Sequence, residues 1–371
     1  MKFSVLQQDL LPVLQSVSRS VGVRSTLPVL DNILLSLEGN KLKIAATNLE
    51  VGVIKFVSVE GVSSGELTIP AKTLVDLVSG LGQSKIELEA TGEILSIQSG
   101  KLKAQINGIL ASEFPVIPLS EGKGVTFPKE VFLTSAQILY AAAVDEGRPV
   151  LTGILTDVKD GKLDFVATDG FRLAHRQVQL VPSNAKGGGA EGFKSLIPKR
   201  TFEEVLRVIG EENAGEVNIS LSPNQNQAIF TIGQTIISSR LIEGQFPSWE
   251  KIIPTEIKTR ALLDREELLK AIKLALVFAK NETNITTLTA QNNQISLESS
   301  AKELGSQQNQ VDAQIEGDQM QIAFNSKFLL DAISNAPSSQ LMMEFSGSLS
   351  PCLIKPVGVE GLEFIVMPVK I

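Results

Sequence analysis

At 371 residues and 43% hydrophobic content, the chain is long enough for two or three ordinary cored domains, and its formal charge of -7 argues against a protein that coats nucleic acid by bulk electrostatics. No window approaches the roughly 18 to 20 uninterrupted apolar residues of a membrane helix, and Asp9 stands where a signal peptide would carry its apolar stretch, so a reduced, cytoplasmic protein is expected. One His, one Tyr and one Trp thin the catalytic menu, and the single Cys352 has no internal disulfide partner.

Residues 3–17 carry apolar side chains at helical spacing, with Leu10, Leu14 and Val17 on one face. A turn at Gly39-Asn40 leads into the apolar run Lys41-Leu42-Lys43-Ile44, which closes on the polar corner Ala45-Ala46-Thr47-Asn48-Leu49-Glu50-Val51. Leu67-Thr68-Ile69-Pro70 then opens a second helix at Ala71-Lys72-Thr73, and alternation such as Ile86-Glu87-Leu88-Glu89 marks strands after it. Turn residues cluster over 118–124, the first candidate boundary.

The same order then returns. Residues 132–144 read as a helix, Asp160-Gly161 as a turn, Lys162-Leu163-Asp164-Phe165-Val166 as a strand, and Ala167-Thr168-Asp169-Gly170-Phe171-Arg172-Leu173 as the corner. Leu196-Ile197-Pro198 opens a second helix at Lys199-Arg200, and a further turn cluster spans 247–255. Residues 182–192, with three consecutive glycines, read as the one loose loop. A third round has a helical pattern over 262–278 and a second helix after Asn325. Pro70 to Pro198 is 128 positions and Pro198 to Asn325 is 127, while 371 divided by three is about 124, so the chain reads as three tandem domains over 1–123, 124–251 and 252–371. Each is expected to be α+β, with two βαβββ units that set two helices on one side of antiparallel sheets.

Catalytic motifs are weak throughout. Residues 187–195 superficially resemble a phosphate loop, but Phe193 separates Gly192 from Lys194. Asp157-Val158-Lys159-Asp160-Gly161 has Lys where a calcium loop needs a ligand, so a hairpin turn is the better reading. His175 and Cys352 lack the partners of a zinc site. Asp169 as a catalytic carboxylate competes with the ordinary role of Asp in capping a corner. The sequence therefore points to no enzyme and no cofactor.

Basic residues say more by position than by number. Lys72, Arg200 and Lys327 each lie two residues after Pro70, Pro198 and Asn325, within a first helical turn. A cation there opposes the helix dipole by about 0.3 to 1 kcal/mol, so a triple occurrence asks for something anionic to compensate. Three solvated cations that happen to align are the bland alternative.

With Thr26-Leu27-Pro28-Val29-Leu30, the 167–173 corner followed by Ala174, Gly244-Gln245-Phe246-Pro247 and the terminal Val366-Met367-Pro368-Val369-Lys370-Ile371 in hand, the chain resembles along its whole length the bacterial sliding clamps, the β subunits of DNA polymerase III. The resemblance implies a ring-shaped head-to-tail homodimer, helices lining the ring and sheets outside, that encircles double-stranded DNA without reading its sequence and confers processivity in replication. Helix size fits two chains: six helices about 10 Å across leave a hole near 9 Å, whereas twelve leave about 28 Å, and a duplex is on the order of 20 Å wide.

The resemblance further implies a cytoplasmic, nucleoid-associated protein whose DNA-facing residues are Arg24, Lys72, Arg148, Lys199, Arg200 and Lys327. It implies a pocket for short peptide motifs of the replicative polymerase, the clamp loader and repair and mismatch-repair proteins. Matching that pocket are Leu151, Thr168, Gly170, Arg172, Leu173, Pro247, Lys251 and Ile252 in the middle of the chain. Asn325, Phe328, Leu349, Pro351, Ile365, Met367, Pro368, Val369 and Lys370 match it toward the end. Phe171 and Phe328 replace the His and Tyr of some relatives, and Lys370 replaces Arg. For the dimer, the matching sheet edges would be the strand through Lys103 and Ile106 and the segment 276–280 with Leu276, Phe278 and Ala279. A tandem-repeat peptide scaffold that never encircles DNA is the competing class.

Overall fold

The computed structural model describes residues 1–22, 27–120, 124–145, 147–180, 193–222, 224–280, 284–302 and 305–370. Arg24 and the glycine run in 182–192 lie outside the described residues.

The first repeat runs β1 (Lys2–Leu6), α1 (Gln7–Ser18), β2 (Asn32–Glu38), β3 (Lys41–Thr47), β4 (Val51–Ser58) and β5 (Glu60–Ser63). It continues through β6 (Gly65–Pro70), α2 (Ala71–Ser79), β7 (Lys85–Thr91), β8 (Ile94–Ser99) and β9 (Leu102–Asn107). The second has β10 (Val125–Pro128), α3 (Lys129–Ser135), β11 (Gly153–Lys159), β12 (Lys162–Thr168), β13 (Arg172–Gln179), β14 (Lys194–Pro198), α4 (Lys199–Glu212), β15 (Glu216–Leu221), β16 (Gln227–Ile232) and β17 (Thr235–Arg240). The third has β18 (Thr259–Asp264), α5 (Arg265–Ala279), β19 (Ile285–Gln291), β20 (Gln294–Ala301) and β21 (Gly305–Gly317). It ends with β22 (Met320–Asn325), α6 (Ser326–Ser334), β23 (Gln340–Phe345), β24 (Cys352–Pro356) and β25 (Leu362–Val366). The order strand, helix, three strands, strand, helix, three strands therefore occurs three times, with β5 as an insertion in the first.

Local chemistry sets the boundaries. Asp264 accepts a bond from the Glu267 amide (2.9 Å) at the start of α5, and Asn325 accepts from the Lys327 amide (3.0 Å) at the start of α6. Asp160 and Gly161 both adopt positive φ (52° and 70°) in the β11–β12 hairpin, so the calcium-loop look-alike is a two-residue turn. Residues 3–6 belong to β1 rather than to a helix, and α3 ends at Ser135 although the apolar spacing runs on to 144. Thr134 and Ser135 bond back to the carbonyls of Val131 (2.7 Å) and Phe132 (2.6 Å), which competes with continuing the helix.

The chain packs as two compact units that are out of phase with the three repeats. Among the described residues, one takes in 1–129 and 203–241, the other 130–180, 193–202 and 242–370. In the first, an eight-stranded sheet has the order β10-β15-β16-β17-β4-β3-β2-β6, and a five-stranded sheet has β5-β1-β7-β8-β9. The join between repeats is β17 on β4, with Ile236 opposite Ile54 and Ser239 opposite Val51. Leu10, Leu14 and Val17 of α1 are fully buried there, as are Leu74 and Val78 of α2.

In the second unit, one continuous run of twelve antiparallel strands has the order β14-β11-β12-β13-β25-β24-β23-β18-β21-β20-β19-β22. Its join is β13 on β25, with Arg172 opposite Val366 and Arg176 opposite Leu362. Phe165 packs between Phe132 and Phe202 in the core, with ring centres 6.0 and 5.6 Å away. Sharing strands between repeats buries edges that each repeat alone would expose.

Two edges remain relevant. β9, with Lys103 and Ile106, closes one side of the five-stranded sheet. Residues 276–280, however, are no strand edge: they form the last turn of α5 and its cap, and Ala279 is buried. One free edge of that repeat among the described residues is the first part of β21, where residues 305–312 pair with β20 on one side and only 313–317 pair with β18 on the other. Leu274 and Val277 of α5, 55% and 62% exposed, supply apolar surface that Ala279 does not. No helix among the described residues is long and apolar enough to cross a membrane.

Candidate functional site

The corner after β12 repeats, bond for bond, the corner after β3. Thr47 Oγ1 donates to the Val51 carbonyl (3.1 Å) and accepts from the Leu49 amide (3.0 Å), while Asn48 Oδ1 accepts from the amides of Glu50 and Val51. Thr168 Oγ1 likewise donates to the Arg172 carbonyl (2.7 Å) and accepts from the Gly170 amide (3.0 Å), while Asp169 Oδ1 accepts from the amides of Phe171 and Arg172. Asp169 is thus occupied as a backbone cap. What the second copy adds is charge. Asp169 Oδ2 accepts from Arg172 Nε (3.0 Å), and Arg172 Nη1 reaches Asp331 on α6.

Arg172 is the centre of this site. Its guanidinium carbon lies 5.2 Å from the Tyr140 ring centre and 4.8 Å from that of Phe328, distances at which a cation is attracted to an aromatic face. Phe328 stacks on Phe171 with ring centres 6.1 Å apart and planes 18° apart. Burial, and secondarily the nearby carboxylates of Asp331 and Asp169, push the Tyr140 hydroxyl above its ordinary titration range, with Arg172 pulling the other way, so it stays neutral. The backbone closes the arrangement: the Met367 amide donates to the Phe171 carbonyl (2.9 Å), and the Val369 amide to the Ala323 carbonyl (2.8 Å).

Beside it lies an aliphatic wall. Leu155, Val166, Leu173, Leu196, Leu353 and Ile365 form a buried cluster against which Ile252, Ile253, Phe246 and Trp249 pack. Of the seventeen expected pocket residues, Leu151, Thr168, Leu173 and Ile365 are buried and supply floor rather than surface. Gly170, Pro247, Lys251, Leu349 and Lys370 are exposed, and Ile252, Asn325, Phe328, Pro351, Met367, Pro368 and Val369 are half-buried. The structure brings Thr168, Gly170 and Arg172 into one corner, Phe328 against Arg172, and Leu173, Ile252 and Ile365 into one wall. Leu349 and Pro351 lie in the segment between β23 and β24. Tyr140 and Asp331 were not legible as members. Asp331 stands one turn beyond Phe328 on α6, which was the available clue.

The expected DNA-facing cations divide. Lys72, Arg200 and Lys327 are all exposed and each is the second residue of its helix, α2, α4 or α6. Lys72 has a carboxylate on its own helix, Asp76 at 2.7 Å, so part of its compensation is local. Lys199 opens α4 beside Arg200 and is half-buried. Arg148 is committed elsewhere: its Nη2 donates to the Asp169 carbonyl (2.8 Å), at the corner.

Three models of DNA polymerase III beta subunit domains match the chain in succession, the N-terminal domain over residues 1–118, the central domain over 128–248 and the C-terminal domain over 250–370. The beta sliding clamp of Synechocystis sp. is 32% identical over 390 residues that take in all of both chains, and that of Bacillus subtilis is 26% identical, again over all of both. Among solved structures, the DNA polymerase III subunit beta of Pseudomonas aeruginosa superposes with a TM-score of 0.93 at 26% identity, covering both chains fully. That of Thermotoga maritima gives 0.90 at 26% identity, covering all of this chain and 99% of the other.

Proposed function

The chain belongs to the DNA polymerase III β-subunit family, the sliding clamps, and from that we propose that two copies close head to tail around duplex DNA and tether the replicative polymerase. The observation that carries this reading is the repetition of one cation at one place, Lys72, Arg200 and Lys327 at the second position of α2, α4 and α6. Three exposed charges at equivalent helix starts suit contact with phosphates, which orients without reading bases and so permits sliding. The cations act by offsetting phosphate charge, and no bond is made or broken, so the protein has no catalytic role and needs no cofactor.

Closure of the ring follows from unpaired edges. β9 at Lys103 and Ile106 would extend onto residues 305–310 of β21 in the second chain, with Leu274 and Val277 covered at the same contact. The functional domains are 1–123, 124–251 and 252–371, in a cytoplasmic, nucleoid-associated protein.

Partner capture falls to the wall and corner around Arg172. An extended peptide would lay aliphatic side chains on Ile252 and Met367, above the buried floor of Leu173 and Ile365, and an aromatic one near Phe171 and Phe328. Polymerase, clamp loader and repair and mismatch-repair proteins would compete for it through short motifs. Reversing Lys72, Arg200 and Lys327 to Glu tests the reading: loading on primed circular DNA should fall while the two-chain mass persists. Unchanged retention would contradict it.

A further inference from the structure

The chain's only His and only Trp meet next to the wall just described. His175 on β13 is buried, its ring centre 4.4 Å from that of Trp249 at a 44° tilt, and Trp249 opens the short helical turn Trp249–Ile252. His175 Nε2 lies 2.7 Å from Asp164 Oδ1 on β12. On the other side, Nδ1 faces Glu363 Oε2 on β25 at 3.6 Å, too long for a hydrogen bond and short for a charge contact.

This geometry has one comfortable protonation state. If Nε2 carries the only ring proton and donates it to Asp164, the Nδ1 lone pair points at a second carboxylate. If Nδ1 carries it, Nε2 and Asp164 Oδ1 become two acceptors 2.7 Å apart. An imidazolium satisfies both carboxylates at once. Burial works against that charge, but Asp164 and Glu363 outweigh it and hold His175 above the ordinary histidine range.

The surrounding charges are accounted for. Gln177 donates to the same Asp164 oxygen (2.9 Å), and Lys162 acts on Asp164. Lys355 on β24 and Glu344 on β23 act on Glu363 with opposite signs. Glu250 and Lys251 flank Trp249 and are exposed. No protein acceptor holds the indole N–H among the described residues, so Trp249 is fixed by its apolar packing and by the His175 ring.

We propose that His175 is a positioning residue for the peptide site: as an imidazolium it holds Trp249, and with it the turn that carries Ile252 and Lys251 and follows Pro247, so that loss of its proton loosens one wall. The chain of contact is short. Trp249 and Ile252 pack on the same cluster as Leu173 and Ile365, and a cation against an indole face is the strongest of the cation–aromatic pairings. Protonated His also quenches indole emission on contact, which gives the link its own signal.

The inference rests on the peptide-site reading, and two measurements on the full-length protein separate the two. First, Trp249 emission, excited at wavelengths that spare Tyr140, is followed from about pH 5.5 to 9.5. A rise in emission with a midpoint above the ordinary histidine value of about 6.5 is expected. His175→Gln should abolish the transition, and Glu363→Gln, which keeps the ring, should move it to lower pH. A flat wild-type curve, or an unchanged transition in His175→Gln, would overturn the link. Second, a fluorescein-labelled hexapeptide with adjacent Leu and Phe is titrated by anisotropy at both pH extremes. Wild-type affinity should fall about tenfold at high pH, the equivalent of a cation–aromatic contact of ordinary strength, and His175→Gln should bind weakly at both. Equal wild-type affinity at both extremes, with the emission transition intact, would overturn the coupling to the site. Absence of peptide binding at every pH would contradict the peptide-site reading itself, and emission would still decide between His175 and Trp249 being linked or independent.

Discussion

The guanidinium of Arg172, on β13, pairs with the carboxylate of Asp331, on α6, and so ties the second repeat to the third beside the strand join β13–β25. Arg172 keeps only 13% of its side chain exposed, and the same group caps Asp169 and faces two rings. Arg172→Ala would leave Asp169 half satisfied and remove both ring contacts, a loss of about 1 to 3 kcal/mol. The urea midpoint should fall accordingly, and peptide binding should weaken with it. Arg172→Lys should not rescue either, because a single ammonium cannot serve Asp169 and Asp331 as the planar fork does.

A second tie joins the first repeat to the second. Lys55 on β4 is buried, and its Nζ lies 3.2 Å from Glu211 and 3.0 Å from Glu212 on α4. Arg207 and Ser16 complete the Glu211 side, and Thr235 and the Gln234 amide the Glu212 side. Lys55→Met leaves two partly buried carboxylates short of a cation and should cost about 3 kcal/mol by denaturant unfolding.

The same cluster predicts an acid limb. Burial would raise the carboxyls of Glu211 and Glu212, but hydrogen bonds from Ser16 and Lys55 to the first, and from Thr235 and Lys55 to the second, hold both below the ordinary range. Groups with depressed values add stability that is fully present above the unfolded value of about 4.3 and is lost as pH falls below it and through the lower folded value. Urea midpoints between pH 6 and pH 3.5 should therefore drop more steeply in the wild type than in Lys55→Met.

Leu49 sits at φ 74° in the first corner, where the second corner has Gly170 at φ 91°. A non-glycine residue in that region costs about 1 to 2 kcal/mol, partly offset by the greater unfolded-state freedom of glycine. Leu49 is 52% exposed, so little burial is lost. Leu49→Gly should raise the melting temperature slightly, by a gain of about 0.5 kcal/mol, whereas Gly170→Ala should lower it and displace Arg148, whose Nη1 would lie 2.9 Å from the new Cβ.

Much of this was legible in local signals. The turns at Gly39-Asn40 and Asp160-Gly161, the two matching corners and the three second-helix starts all depend on residues within a few positions of one another, which periodicity and turn chemistry read well. Local readings also failed for local reasons: Thr134 and Ser135 stop α3 early, residues 3–6 are a strand, and 276–280 completes a helix instead of forming a sheet edge. What pattern could not supply was pairing at long range. The joins β4–β17 and β13–β25, the Lys55 cluster, Asp331 opposite Arg172, and Trp249 over His175 bring together residues far apart in the chain, and nothing in the spacing of either partner names the other.

The central claim is topological, and one sedimentation experiment tests it most directly. The protein is loaded onto nicked circular DNA, and the DNA is then cut once. A closed ring of two chains should stay with the circle through a salt wash and be lost when the circle is linearised, because nothing but topology holds it. Protein that washes off the circle, or that remains on linear DNA with free ends, would contradict the account.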